Sequence, residues 1–215
     1  MDVFKTDVEQ VESINKWWVE NGKSIVTGVL LGLFAIFGWR AWRDYERQQA
    51  EAASQLYQNV LDSLGNDTAN ARKETSVISD KLIEDYGKTG YAVLVKLIDA
   101  KLAVDAREYA AAEGHLRWAL GHNKVDSLGH MIRLHLAKVL AMQKKYDEAL
   151  ALLKTGEQGE FAASYAEAQA DILRAQGNLD GARNLYQEAL TRRKAAKLET
   201  GVLELKLDDL GRPAE

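Results

Sequence analysis

The side chains of this 215-residue sequence that could do chemistry are few, and none of them forms a known catalytic motif. Of the four histidines, His115 and His122 are seven residues apart, and His130 and His135 are five apart. A zinc site of the HExxH type needs two imidazoles and a glutamate on one helix face, and neither spacing provides it. We interpret His115 and His135 as structural or surface residues of predicted helices.

One tripeptide is similar to the end of a phosphate-binding loop. Gly22, Lys23 and Ser24 stand in the required order, but Trp17 occupies the position of the first glycine of that motif. The tripeptide also leads directly into an apolar segment, so no glycine-rich loop could surround a phosphate there. The sequence therefore predicts no nucleotide site at this point.

The acidic pairs of the sequence are better explained by solvation than by catalysis. They include Asp147 with Glu148 and Asp208 with Asp209, on predicted loops or exposed helix faces. The sequence has neither a GxSxG motif nor a dinucleotide-binding fingerprint. The absence of cysteine excludes thiolate zinc sites, iron–sulfur clusters and cysteine nucleophiles. We therefore predict a protein that is not an enzyme and that has no cofactor, metal site or catalytic residue.

Charge and proline content set further limits. The chain has 28 basic and 32 acidic residues, and its net charge of −4 argues against nucleic acid as a partner. Proline occurs once, at Pro213, so helices can run without interruption through nearly the whole sequence. These features predict an all-α protein of one or two domains.

An apolar segment near the start predicts a single transmembrane helix. Residues 24–39 carry no charge, and extension to residues 21–42 gives a length that crosses a membrane. Four of the five tryptophans flank the segment, as at the two interfaces of a bilayer: Trp17, Trp18, Trp39 and Trp42. A cleaved signal peptide would need small residues at a cleavage site, and a core helix would rarely carry tryptophans and cations at both ends.

The charges around this segment do not determine its orientation. Equal numbers of cations precede and follow it, which is a tie under the positive-inside rule: Lys5, Lys16 and Lys23 against Arg40, Arg43 and Arg47. Within the segment, Ser24, Gly28 and Gly32 recur every four residues and would form a face for packing against another transmembrane helix. The general abundance of glycine in membrane helices is an equally good explanation of this face.

Three copies of an alanine-rich pattern follow the apolar segment. Ala112, Ala149 and Ala182 are 37 and 33 residues apart, and each stands in a predicted helix that follows a short turn. Their neighbours have tetratricopeptide-type offsets: Ala100, Tyr109, Leu116 and Ala119; Ala137, Tyr146 and Leu153; Ala170, Gly177, Leu179, Tyr186 and Ala189. Such repeats form antiparallel helix pairs that stack, and the spacing of Leu203, Leu207 and Leu210 predicts a final capping helix.

The predicted organisation has five parts. They are an N-terminal tail (1–20), a transmembrane helix (21–42), a linker or first helix (43–64), tetratricopeptide-like repeats (65–197), and a capping helix with the C-terminal tail (198–215). The composition of residues 65–71 predicts a loop. The whole is a membrane helix followed by a short α-solenoid.

In such a solenoid the first helix of each pair lines a concave groove, which binds protein segments more often than it catalyses reactions. The repeat offsets place eight residues on this groove: Leu97, Lys101, Met131, Leu134, Lys138, Glu167, Asp171 and Arg174. Half of them could instead be packing or solvent-facing residues. An interface along the edge of the domain is an alternative binding surface.

Several motifs in order resemble the YfgM family of ancillary SecYEG translocon subunits. They are Gly38-Trp39-Arg40 at the end of the span, Tyr57, the set Tyr86, Thr89, Tyr91 and Ala92, RLHLAKVLAMQKKYDEALALL (133–153), AQGNLDGARNLYQEAL (175–190) and LELKLDDL (203–210). The resemblance covers essentially the whole chain. The repeat motifs are generic, and the order of anchor, linker helix, repeats and closing helix makes the resemblance specific.

The resemblance implies a bacterial inner-membrane protein with a cytoplasmic N-terminus and a periplasmic repeat domain. It also implies the SecYEG translocon, the membrane-anchored chaperone PpiD and newly exported, unfolded proteins as partners, and a scaffold or holdase role in a periplasmic chaperone network. Three alternatives remain: a repeat scaffold for another envelope assembly machine, a membrane-tethered enzyme of unrecognised type, and a signalling adaptor with cytoplasmic repeats.

Overall fold

A computed structural model describes residues 7–64, 69–154 and 158–211, and these ranges contain helices and no strands. The predicted all-α class is therefore confirmed. The helices are α1 (Asp7–Leu64), α2 (Ala69–Tyr86), α3 (Gly90–Asp105), α4 (Tyr109–His122), α5 (Asp126–Met142), α6 (Tyr146–Leu153), α7 (Ala162–Ala175), α8 (Leu179–Ala195) and α9 (Gly201–Asp209), with a short 3-10 turn at Gly159–Phe161. The chain divides into two compact units, residues 1–51 and 52–215.

The first unit holds the apolar part of α1. Its large side chains are exposed along the whole segment, and Phe34 reaches 83% exposure. By length and composition this helix can cross a membrane, and none of its apolar window is buried within the protein. Exposed phenylalanine, leucine and tryptophan on this scale are unfavourable in water but are solvated by lipid.

The second unit begins with the last residues of α1 and continues as helix pairs. The predicted loop at residues 65–71 is shorter than expected, because α2 already begins at Ala69, where alanine favours the helix; residues 65–68 lie outside the described residues. Val60 of α1 packs with Leu82 of α2 and with Ala92 and Val95 of α3. The pairs α3–α4, α5–α6 and α7–α8 then follow, and α9 closes the array.

Alanine forms the closest contacts of these pairs. Ala112, Ala149 and Ala182 are fully buried on the second helices, and Ala100 and Ala170 are buried on first helices. A methyl side chain lets two helix backbones approach closely, while a buried Leu or Tyr one turn later fills the wider gap beside it. Leu116, Leu153 and Tyr186 take this second position.

The turn within each pair has the same backbone geometry. Arg107, Lys144 and Gly177 occupy its middle position with φ of 62°, 62° and 84°, and they are 37 and 33 residues apart. The following amide donates back to the end of the first helix, as from Asn178 to the Leu173 carbonyl at 2.9 Å. This left-handed C-cap stops the first helix and reverses the chain within three residues.

Polar contacts also join neighbouring pairs. The Glu113 carboxylate on α4 accepts hydrogen bonds from Lys145 at 2.7 Å, Gln143 at 2.8 Å and Arg117 at 2.8 Å. The bond from Lys145 is the main cause that lowers the pKa of Glu113 to about 2, against the opposing effect of burial. The first pair is thus linked to the turn of the second by a carboxylate that remains charged at neutral pH.

Replacement of Gly177 by alanine should lower the free energy of unfolding by about 1 kcal/mol, because an L side chain is disfavoured at this positive φ. Gly114→Ala is the matched control, since Gly114 lies inside α4 and a Cβ there meets no atom within 4 Å. The control should raise stability by about 0.5–1 kcal/mol. Chemical denaturation of the full chain in mild detergent, followed by circular dichroism, measures both, and equal effects would contradict the turn geometry.

Candidate functional site

The predicted groove residues all lie on the first helices of the three pairs. Two are on α3, three on α5 and three on α7: Leu97 and Lys101; Met131, Leu134 and Lys138; Glu167, Asp171 and Arg174. First helices are the elements that line the inner surface of a tetratricopeptide stack. The structure separates the eight residues into three groups by burial and by partners.

Four of the eight side chains are exposed. Met131 is 48% exposed, and Lys101, Lys138 and Arg174 are exposed cations. Lys101 pairs with Asp105 one turn along α3 at 2.7 Å, with both side chains in contact with solvent. These residues combine an apolar, adaptable side chain with positive charge, which suits weak binding of varied polypeptide segments.

Two leucines are half-buried and belong to the packing. Leu97 and Leu134 contact the main hydrophobic core, whose buried members include Ile132, Leu136 and Tyr165. Their remaining exposed surface could contact a ligand, but most of each side chain stabilises the stack.

Glu167 and Asp171, the two carboxylates on α7, form ion pairs and hydrogen bonds with residues of α8 and α9. Lys206 of α9 lies 2.8 Å from Glu167 Oε1 and 2.8 Å from Asp171 Oδ1. Arg193 of α8 donates to Glu167 Oε2 at 2.9 Å, and the Tyr186 hydroxyl donates to Asp171 at 2.5 Å. Glu167 and Asp171 therefore fix α9 against α7.

Burial and charge act in opposite directions in this cluster. Burial lowers the pKa of Lys206, but the hydrogen bonds to Asp171 and Glu167 outweigh burial and raise it. Burial, and then the hydrogen bond to Asp171, raise the pKa of Tyr186, so its hydroxyl stays protonated and donates. Both effects agree with the positions of Lys206 and Tyr186 as hydrogen-bond donors to the carboxylates of α7.

The candidate membrane face lies in the first unit. Ser24 is exposed, and a Cβ built on Gly28 or Gly32 meets no atom within 4 Å. This open surface leaves room for another helix to approach.

A polar cluster that the sequence did not indicate surrounds the start of α7. The His130 Nδ1 atom is 2.9 Å from the hydroxyl of the fully buried Tyr165, and the His130 ring stacks on Phe161 at 4.7 Å. Asp126 and Glu160 are on the rim of the adjoining depression of about 470 Å³. Its residues are 35 positions apart along the chain, so no local pattern could have revealed it.

The described residues contain no group of three or more side chains arranged to bind a metal ion. Desolvation is the main cause that lowers the pKa of His115, which is half-buried on α4, and the charge of Lys96 acts in the same direction. His135 is exposed on α5, and desolvation followed by the charge of Lys138 lowers its pKa.

Lys206→Gln should destabilise the chain by about 1–3 kcal/mol, because it leaves two partly buried carboxylates without their shared cation. Lys101→Gln removes a lysine from a solvent-exposed pair and should change stability by less than about 0.5 kcal/mol. Urea denaturation measures both values, and amide hydrogen exchange in residues 201–209 should quicken only in Lys206→Gln. Equal effects of the two variants would show that the cluster does not hold α9.

Comparisons with known proteins extend over the whole chain. Proteins named ancillary SecYEG translocon subunit from Haemophilus influenzae and Escherichia coli are each 29% identical to it, over 94% and 98% of this chain and 96% and 99% of their own. The protein of that name from Neisseria gonorrhoeae is 27% identical over 94% of this chain and 96% of its own. No solved structure matches the chain significantly.

These similarities confirm the resemblance seen in the sequence. The relatives' names and the apolar N-terminal helix fit a membrane-anchored protein. The model of the tetratricopeptide repeat-like domain family matches residues 15–212. The match takes in the apolar helix, every helix pair and α9, and the chain belongs to this tetratricopeptide repeat-like family.

Proposed function

We propose that this chain is a non-enzymatic ancillary subunit of the SecYEG translocon that scaffolds a periplasmic chaperone network. The observation that carries the proposal is the similarity to proteins of that name over 94–98% of the chain. It covers the apolar helix and the repeats in the same order. A general repeat scaffold would share the repeats alone.

The anchor supports a place beside a membrane channel. We propose that residues 21–42 span the bacterial inner membrane with the N-terminus in the cytoplasm and the repeats in the periplasm. The absence of cysteine suits an oxidising compartment. The open face at Ser24, Gly28 and Gly32 would let this span pack against a membrane helix of the translocon.

Attachment to the membrane through residues 21–42 would make low-affinity binding of exported chains effective. A repeat domain held beside an exit pore meets each emerging chain at high local concentration, so contacts of low affinity suffice. The residues predicted for the groove that are exposed have long, adaptable side chains: Lys101, Met131, Lys138 and Arg174. Such a surface favours transient binding of unfolded exported proteins and their transfer to a PpiD-type membrane-anchored chaperone.

The anchor prediction is tested by native pull-down from membranes in mild detergent. The full chain should recover translocon subunits and a membrane-anchored chaperone, whereas a chain without residues 1–43 should not, because the span mediates docking. This deletion also removes the domain from the membrane. The matched control therefore replaces residues 21–42 by an unrelated apolar span, and it too should lose the translocon.

The results separate the alternatives. Partners retained by both altered chains would place recognition in the repeats instead of the span. If the full chain recovers no translocon component, the proposal fails and another envelope assembly machine becomes the better explanation.

The groove prediction is tested by photo-crosslinking from position 131 to an exported precursor arrested in the translocon. Lys101→Gln, Lys138→Gln and Arg174→Gln together should reduce the crosslink severalfold without unfolding the domain, because the removed cations lie beside the bound segment. No crosslink in any variant would contradict both the groove and a periplasmic domain.

The matched control removes three exposed lysines that lie outside the first helices, with the same change of net charge: Lys88→Gln, Lys124→Gln and Lys154→Gln. This variant should crosslink like the unaltered chain. Equal losses in the two triple variants would show that net charge acts, and not the groove.

A further inference from the structure

The last helix of the domain is apolar on two sides. Leu203 is buried, and Leu207 and Leu210 pack on the α7–α8 core. On the other side, Val202 is 64% exposed and Leu205 is 67% exposed. Val202 and Leu205 are three residues apart, so they are neighbours on one helix surface. We refer to Val202 and Leu205, with the flanking Asp208 and Asp209, as the outer α9 surface.

An apolar outer side is unusual for the last helix of a stack. A terminal repeat normally ends the array with a polar surface, because nothing packs beyond it. A short helix that is apolar on both sides is typical of one that is covered on both sides. Val202 and Leu205 therefore have the character of an interface between helices.

Two acidic residues lie beside Val202 and Leu205 on α9. Asp208 and Asp209 are exposed in the last turn of α9, and neither forms an ion pair within the described part of the chain. Carboxylates at this end of a helix oppose the helix dipole. A cation from outside the domain would offset that unfavourable position.

Three cations near α9 already have partners within the described part of the chain. Lys206 binds Glu167 and Asp171, and Lys194 lies 3.2 Å from Glu204. Arg183 binds Asp180 and donates to the carbonyls of Leu210 and Gly211 at 3.0 and 3.1 Å. The side chains of Asp208 and Asp209 are thus left as the open charges of this surface.

We propose that the outer α9 surface docks a basic amphipathic helix of a partner protein. Apolar side chains of that helix, spaced by three or four residues, pack on Val202 and Leu205. Its flanking lysines or arginines face Asp208 and Asp209. Since α9 has nine residues, a partner helix of about three turns covers it.

The negative charge of Asp208 and Asp209 favours a basic partner helix over a second copy of this chain. A second α9 would bring the same acidic pair to the interface, and the whole chain carries a net charge of −4. Like charges at an interface disfavour self-association, whereas a cationic helix complements them. This surface is separate from the first-helix groove, so its test is independent of the translocon proposal.

The experiment uses the full chain in nanodiscs of neutral lipid and a fluorescent helical peptide with leucine at every third or fourth position and lysine on the flanks. Empty nanodiscs give the background that is subtracted. We expect saturable binding that weakens as salt rises, and at least tenfold weaker binding of a peptide with glutamate in place of lysine.

Variants locate the binding. Val202→Asn with Leu205→Asn should weaken peptide binding at least tenfold, whereas Val77→Asn should not, although Val77 is 69% exposed on α2. Asp208→Asn with Asp209→Asn should weaken binding and reduce its salt dependence. The charge-matched control, Glu84→Gln with Asp85→Asn on α2, should leave both unchanged.

Two results would overturn the proposal. One is equal peptide binding by the unaltered chain and by the Val202→Asn, Leu205→Asn variant, with circular dichroism showing that both are folded. The other is a dimer in sedimentation that the same two substitutions dissociate, since a second copy would then cover this surface.

Discussion

The close contact of small side chains between paired helices is the constraint on which the repeat domain depends. Ala112, Ala149 and Ala182 are completely buried where the second helices cross the first. A larger side chain there would separate the helices and open gaps around Leu116, Leu153 and Tyr186, because protein interiors are close-packed. The three-residue turns fit this spacing, since their left-handed middle residue reverses the chain without extra length.

Stacked pairs leave two ends, and each end is completed differently. At the start, residues of α1 and α2 pack on α3 around Val60 and Leu82. At the C-terminal end, the buried Leu203 and the ion pairs of Lys206 with Glu167 and Asp171 fix α9 to the preceding pair. Partly buried charges of this kind favour one arrangement, because a displaced α9 would remove the cation that Glu167 and Asp171 share.

The proposed function depends on an apolar helix and a repeat domain that lie in one chain. A helix with lipid-compatible side chains is joined to a repeat domain whose exposed first-helix residues include Lys101, Met131 and Lys138. Some of its polar side chains link helices: Glu113 binds Gln143 and Lys145, and His130 contacts the Tyr165 hydroxyl. Under the proposed function, this arrangement would hold other chains near a defined position in the membrane.

The sequence alone determined the apolar span, the helical class and the three repeats, because each depends on a period that can be counted along the chain. The eight residues that it predicts for the groove lie on α3, α5 and α7, and their role in binding stays a prediction. The sequence did not indicate that Glu167 and Asp171 bind Lys206, or that His130 binds Tyr165, because these partners are 35–39 residues apart and meet only after the pairs stack.

The sequence also did not indicate that the three turns share one backbone geometry. Glycine commonly adopts a positive φ, so Gly177 is an expected residue there, but Arg107 and Lys144 adopt the same positive φ and their residue types do not indicate it. Tertiary structure decided these features because they depend on which helix lies beside which, and one-dimensional spacing does not contain that information.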